Sequence, residues 1–320
     1  MHAISIVIPV YNRATLVKRT LESVLAQSFR PLQVVLVDND STDGSYAVLQ
    51  QFASTHSAPD FEVKVVTESH HTAGAARNRG AHHATGRWLM FFDSDDEMHP
   101  HLAQSYAQAI DEAGGEVDVV SVKTTKLFGD GTKRELPFYQ KDIIGVQLLH
   151  SQLATQRYIV RKDFFEQCHG WNVDLPVWND WELGMRLLLA GARVAFIPQN
   201  LVTINHTSDS ITGDNFAHKA GQWEHSMDVV EQQILNSGHP QSLRLRRLLD
   251  FKRITLAAQY QAEGQRELSV QLCRKAFASL HSTYGNSLKW RLVVAPIVKM
   301  LFARIAHGKR GSALVARYLL

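Results

Sequence analysis

The feature that most constrains this chain is a unit repeated along its first hundred residues: a short apolar, β-branched run, a polar turn, then a stretch with helical spacing. Ile4-Ser-Ile-Val-Ile8 closes at Pro9, and Thr15–Ala26 then sets Leu16, Val17, Leu21, Val24 and Leu25 on one helical stripe. Gln33–Val37 ends in Asp38 and the polar loop Asn39–Gly44, where Ser41 or Thr42 is placed to cap a helix running to about Phe52. Glu62–Val66, a small-residue helix over 73–84 and Trp88–Phe92 complete the series. Strands alternating with helices in this way predict an α/β domain, a Rossmann-like and mostly parallel sheet flanked by helices. Ligands of such sheets sit beyond the carboxyl ends of the strands. Here those ends carry Tyr11 and Asn12, Asp38, and Asp93 with Asp95.

Further along, Val117–Val122 and Arg193–Ile197 read as strands and Asp180–Ala190 as a helix, whereas 123–150 resists assignment. From about Asn215 the pattern turns helical, with turn signals at Asn236-Ser-Gly238, Glu263-Gly264 and Gly285-Asn286. The expected organisation is therefore a catalytic domain over 1–214 and a helical carboxy-terminal region over 215–320. A chain of 320 residues is long enough for both, and its 45% apolar and 20% charged composition is that of a folded protein.

Two cysteines, Cys168 and Cys273, supply neither a disulfide framework nor a metal-binding spacing, and neither a signal peptide nor a spanning helix is expected. These point to the cytoplasm. Nine basic residues and no acid follow Glu267, so against a net charge of +3 the preceding chain carries about −6. Such asymmetry points to an anionic surface, membrane or nucleic acid. Leu288–Ala306 interleaves Trp290, Phe302 and aliphatics with Lys289, Arg291, Lys299 and Arg304, the composition of an interfacial helix kinked at Pro296. A helix packed on the catalytic domain with snorkelling basic side chains has the same composition. A nucleic-acid partner is not expected, because aromatic platforms interleaved on a sheet or groove are missing.

The strongest chemical feature is Phe91-Phe-Asp93-Ser-Asp95-Asp96, directly after a buried strand. Carboxylates there are costly unless neutralised, and a divalent cation bridging a diphosphate neutralises them with hard oxygen ligands, although an acidic turn or helix cap carries the same residues. Asp38 fits a helix cap or an acceptor for a base N–H. Arg77 and Asn78 lie in Ala73-Gly-Ala-Ala-Arg-Asn-Arg-Gly80, where small residues permit close approach of backbone to ligand. The Gly-x-Gly-x-x-Gly fingerprint is absent after the first strand, against a dinucleotide-binding domain. The missing glycine-rich loop also argues against a nucleotidyltransferase.

Four ordered segments together resemble the family 2 glycosyltransferases of GT-A fold: Ile6-Val-Ile-Pro9-Val-Tyr11-Asn12, Val37-Asp38-Asn-Asp-Ser-Thr-Asp43-Gly44, Ala75-Ala-Arg77-Asn78-Arg-Gly80 and Phe92-Asp93-Ser-Asp95-Asp96. The resemblance covers roughly 4–210. It implies that Pro9, Tyr11, Asn12, Asp38, Arg77, Asn78, Asp93, Ser94 and Asp95 bind a nucleotide diphosphate sugar, with Mn²⁺ or Mg²⁺ on Asp95. Asn39 and Asp40 stand where the family has Asp and Gly, and uridine is the family's usual nucleoside. Trp178-Asn179-Asp180-Trp181-Glu182-Leu183 with Arg186 is similar to the family's Glu-Asp motif, which puts Asp180 at the catalytic base and Asn179 and Arg186 near the sugars. A helix cap is the competing reading of Asp180. Gly170-Trp171-Asn172 resembles a segment whose aromatic residue meets donor or acceptor sugar, and His206 the family's late histidine before Ser-Ile-Thr, which touches diphosphate or metal. Inverting transfer to a glycan or lipid-linked acceptor in surface polysaccharide or lipopolysaccharide synthesis, peripheral to the inner face of the membrane, is the expectation that follows. A nucleotide-sugar-binding protein without turnover is the alternative.

Overall fold

The computed structural model describes residues 4–206, 216–285 and 287–308. The Ser-Ile-Thr run after His206, the boundary at 214 and the last three basic residues of the tail lie outside the described residues.

The first half follows the strand–helix alternation: β1 (Ile4–Val10), α1 (Val17–Leu25), β2 (Leu32–Asp38), α2 (Ser45–His56), β3 (Phe61–Thr67), α3 (Ala73–His83) and β4 (Trp88–Phe91). The chain continues through β5 (Glu97–Met98), α4 (Leu102–Glu112), β6 (Val119–Leu127), β7 (Lys133–Leu136), α5 (Ile143–His150), β8 (Tyr158–Arg161), α6 (Lys162–Gln167), α7 (Asn179–Leu189) and β9 (Val194–Asn205). Among the described residues these strands form one sheet in the order β3-β2-β1-β4-β8-β6-β9-β5, with β7 on β6. The four strands β3, β2, β1 and β4 are parallel. Beyond them the sheet is mixed, because β8 runs antiparallel between β4 and β6 while β6 and β9 are parallel.

Burial explains the sequence patterns. β2 is buried at every residue, which is why it reads as an apolar run. β3, at the sheet edge, instead alternates Phe61 and Val63 inward with Glu62 and Lys64 outward. Val17, Leu21 and Val24 of α1 and Leu102, Tyr106 and Ile110 of α4 share one core with Ile6, Ile8, Leu36 and Met90. A Cβ on Gly80 would stand 2.2 Å from Val7, so only glycine lets α3 lie this close to the sheet.

Among the described residues, those up to 140 and from 152 to 206 form one compact unit, and 141–151 joins those from 216 onward in another. A single division in the chain therefore misses α5, an apolar helix that packs on α9 (Ser242–Ala262). The second unit also holds α8 (Ala220–Asn236), α10 (Arg266–Tyr284) and α11 (Ala295–Ala306). Buried Arg253 ties α9 to α8 through ion pairs to Asp228 (2.8 Å) and Glu231 (2.7 Å), and pairs with Asp250 (2.9 Å) on its own helix.

Candidate active site

The loops beyond β1 and β2 are fastened to one another by side chains that the sequence offered as ligands or caps. Ser41 and Thr42 do not cap α2: its N-cap is Gly44, and the Asp43 carboxylate accepts from Ser45 N–H at 3.0 Å instead. The Ser41 hydroxyl accepts from Asn12 N–H (3.1 Å), and the Asn12 side-chain oxygen accepts from Thr42 N–H (2.8 Å). Asn12 thus joins two loops at a left-handed φ of 50°, rather than offering that oxygen to a ligand. Pro9 lies within β1, paired with Val37. Tyr11 beyond it is 54% exposed, its ring edge-on to His71 with centroids 6.3 Å apart. His71 in turn meets Asp40 at 3.5 Å.

Asp38 does not cap α2, whose N-cap is Gly44; it holds the loop before that helix. One carboxylate oxygen accepts from Ser41 N–H at 3.1 Å, while the other is buried with no partner among the described residues. Beside it opens a cleft of about 480 Å³ lined by Asp38, Asp40, Thr67, Glu68, Ser69 and Arg79. Sequence reasoning singled out Arg77 and passed over Arg79. Two positions along a helix turn a side chain by roughly 200°, so the two arginines serve different places.

Arg77 is the hub. From buried α3 it donates to Asp93 at 2.7 Å and to the Asn179 side-chain oxygen at 3.4 Å, and its guanidinium lies 4.5 Å over the Trp171 ring. Asp180, in the first turn of α7, accepts from Trp181 N–H at 2.8 Å. Burial pushes the Asp180 carboxyl above its ordinary value; the Trp181 N–H and the Arg77 charge oppose that, and the charge of Asp93 adds to it. Asp95 is raised for related reasons, burial first and then the charge of Asp93. Asp93 therefore acts electrostatically on both acids.

The acidic loop is held rigidly. Ser94 is buried, and buried Asp96 accepts from Asn205 N–H (2.8 Å) and from the Gln156 amide. Burial and the two neighbouring carboxylates raise Asp96 well above an ordinary aspartate. Arg19 donates to the Asp95 carbonyl at 2.8 Å and the Asn205 amide to the same oxygen at 2.9 Å, leaving the Asp95 carboxylate without a hydrogen bond or ion pair among the described residues. His206 follows Asn205, with its ring edge-on to Phe128 (5.3 Å) and its Nδ1 buried without a partner among the described residues. A desolvated, unpaired carboxylate beside a second carboxylate fits a divalent cation. Among the described residues no group of three or more His, Cys, Asp or Glu would enclose such an ion alone, so a ligand's own oxygens would have to complete its shell.

Three residues expected at the ligand serve as supports. Asn78 exchanges two hydrogen bonds with the Trp171 backbone, at 2.8 and 2.9 Å, which uses both ends of its amide. Gly170, at φ +64°, makes this possible, since a Cβ there would fall 2.8 Å from the Asn78 oxygen. Trp171 is only 2% exposed, wedged edge-on against Phe91 (5.2 Å) beneath Arg77, so it backs the arginine and presents no open face to a sugar. Arg186 donates to both Glu182 oxygens (2.7 and 2.9 Å) and to the Cys168 carbonyl, anchoring α7 to the turn before Trp171. Half-buried Trp178, at a left-handed φ of 53° before α7, borders Asp180 and was not singled out by the sequence.

A parallel sheet half carrying an acidic loop, joined to a mixed half with a further acid on α7, is the GT-A arrangement. Solved structures share it. S. aureus TarS 1–349 in complex with UDP-GlcNAc superposes with a TM-score of 0.72 at 16% identity, covering 99% of this chain and 90% of that one. The mannosyltransferase PcManGT from Pyrobaculum calidifontis, in complex with GDP-Man and Mn²⁺, gives 0.59 at 18% identity, covering 98% and 86%. Residues 5–170, more than half of the 320, match the family model for glycosyl transferase family 2. The chain belongs to that family and is a glycosyltransferase. An uncharacterized glycosyltransferase of Nostoc sp. is 26% identical over 78% of this chain and 81% of its own length. The succinoglycan biosynthesis protein ExoO of Rhizobium meliloti is 31% identical, over 42% of this chain and 39% of its own length.

Proposed function

We propose that the chain transfers a sugar, with inversion, from a uridine diphosphate sugar to a hydroxyl of a growing surface glycan or its lipid-linked precursor. The observation that carries this reading is the Arg77 hub: one guanidinium binds Asp93 and Asn179 and acts on Asp180, gathering the acidic loop and the α7 carboxylate around one position. The cleft lined by Asp38, Asp40 and Arg79 supports a nucleobase site, with exposed Tyr11 reaching Asp40 by way of His71. The neighbour holding UDP-GlcNAc supports a uridine donor and the succinoglycan relative a polysaccharide product.

Asp180, raised by burial, is a stronger base than an exposed aspartate and would take the acceptor proton as the hydroxyl attacks the anomeric carbon. No second carboxylate suggests itself as a covalent nucleophile, so one displacement with inversion follows. Asp95 and His206 would hold the divalent cation, Mn²⁺ or Mg²⁺, which when bound supplies Lewis-acid stabilisation of the departing diphosphate. Asp93 and Arg77 would orient the donor.

A hydrolysis screen of nucleotide sugars with Mn²⁺ or Mg²⁺ tests the donor without knowledge of the acceptor; activity that persists undiminished in EDTA removes the cation. Asp180→Asn keeps the acceptor for Trp181 N–H, so the fold survives. It lowers transfer on the order of a hundred- to ten-thousand-fold with donor affinity nearly unchanged. Wild-type turnover in that variant removes Asp180 as the base.

A further inference from the structure

The end of the second unit presents a face unlike the rest of the surface. Leu288, Leu292, Val293 and Met300 are 70, 66, 43 and 53% exposed, and they are four of the nine exposed large hydrophobics among the described residues. The other five are scattered along the chain, whereas these four fall within one helical stretch, and clustered apolar exposure marks a contact surface where single residues do not. Exposed Lys289, Arg291, Lys299 and Arg304 lie among them. None of these cations has an ion pair among the described residues, and no Asp or Glu occurs after Glu267.

The opposite face is firmly seated. Trp290, Val294, Val298 and Leu301 are buried, the Trp290 ring stacks on Tyr284 at 5.6 Å, and α11 packs on α9. Trp290–Val294 forms a widened π turn, with Ala295 N–H reaching back to the Trp290 carbonyl, which admits Pro296 at the start of α11. The exposed residues therefore project from a fixed support.

We infer that this face, Leu288 to Arg304, docks in the plane of an anionic lipid bilayer. An uncharged apolar partner would desolvate four cations without compensation, and an acidic protein patch would leave the aliphatic side chains without apolar cover. An anionic head-group layer over acyl chains satisfies both at once, with basic side chains snorkelling to phosphate while the aliphatics enter the boundary. The segment lies on the surface and does not cross it: no helix among the described residues is long and apolar enough to span a membrane. The inference stands independently of the donor reading.

The test is flotation of the full chain with vesicles of phosphatidylcholine alone or mixed with phosphatidylglycerol, at low and high salt. Expected are binding to the mixed vesicles about tenfold above the neutral ones, its loss at high salt, and a drop of similar size in each of two variants. One is Leu288→Gln with Leu292→Gln; the other is Lys289→Gln, Arg291→Gln and Lys299→Gln. All five positions are exposed, so far-ultraviolet circular dichroism and melting temperature should stay at wild-type values. Equal binding to both vesicle types, binding unchanged in both variants, or no binding accompanied by concentration-dependent self-association through this face each overturns the inference. Donor hydrolysis measured on the same samples reads the sugar-transfer proposal separately.

Discussion

At the scale of single residues, the site is governed by what burial does to carboxylates. Asp180 and Asp95 are both pushed above the ordinary 3.8, each first by desolvation and each also by the charge of Asp93. A base must be deprotonated to act, and a raised value keeps it protonated to higher pH, so the acidic limb of the pH–rate profile lies above 3.8. Measuring kcat against pH on the metal-loaded enzyme checks this, and a limb at or below the ordinary aspartate value contradicts the assignment. The positions of Asp38, Asp93, Asp95 and Asp180 were legible because they follow strands or open a helix, which the local pattern fixes, whereas Arg77, inside α3, was singled out by the motif around it. What each neighbour does was not legible. Asn78 and Arg186 carry the same donors whether they face a ligand or a backbone carbonyl, and only the folded turn at Gly170 decides between them.

At the scale of elements, α7 delivers Asp180 and is held by its own fourth-neighbour ion pair. Glu182 is fully buried, and Arg186 closes a two-pronged bridge on it while gripping the turn at Cys168. Removing one partner of such a pair strands a buried charge, so Arg186→Met costs about 3 kcal/mol; replacing both partners with apolar residues recovers much of that, as denaturant titration of the single and double variants can read. The parallel strands were readable from their apolar runs. The antiparallel strands β7 and β8 were not, because they are four residues each and take their cover from neighbours distant in sequence. The same holds for the acidic loop, where nothing local distinguishes Asp95, left unpaired, from Asp96, locked to β9.

At the scale of the whole molecule, the helical character of the residues from 216 on was visible, but the detour through α5 was not, since a short apolar helix looks alike whichever core receives it. At the neck of that detour Gln152 accepts from Tyr139 N–H at 2.7 Å and donates to the Tyr139 carbonyl at 3.1 Å. The two ends of the excursion are thus already clasped on the first unit. A sugar-transferring core cut out by truncation alone would carry α5 with its greasy side bare and would precipitate. Replacing 141–151 with a few glycines and serines as well should yield a soluble piece that still hydrolyses donor, and size-exclusion chromatography of the two versions would separate these outcomes. The Tyr139–Gln152 clasp is where we expect the first unit to tolerate splicing, grafting or fusion.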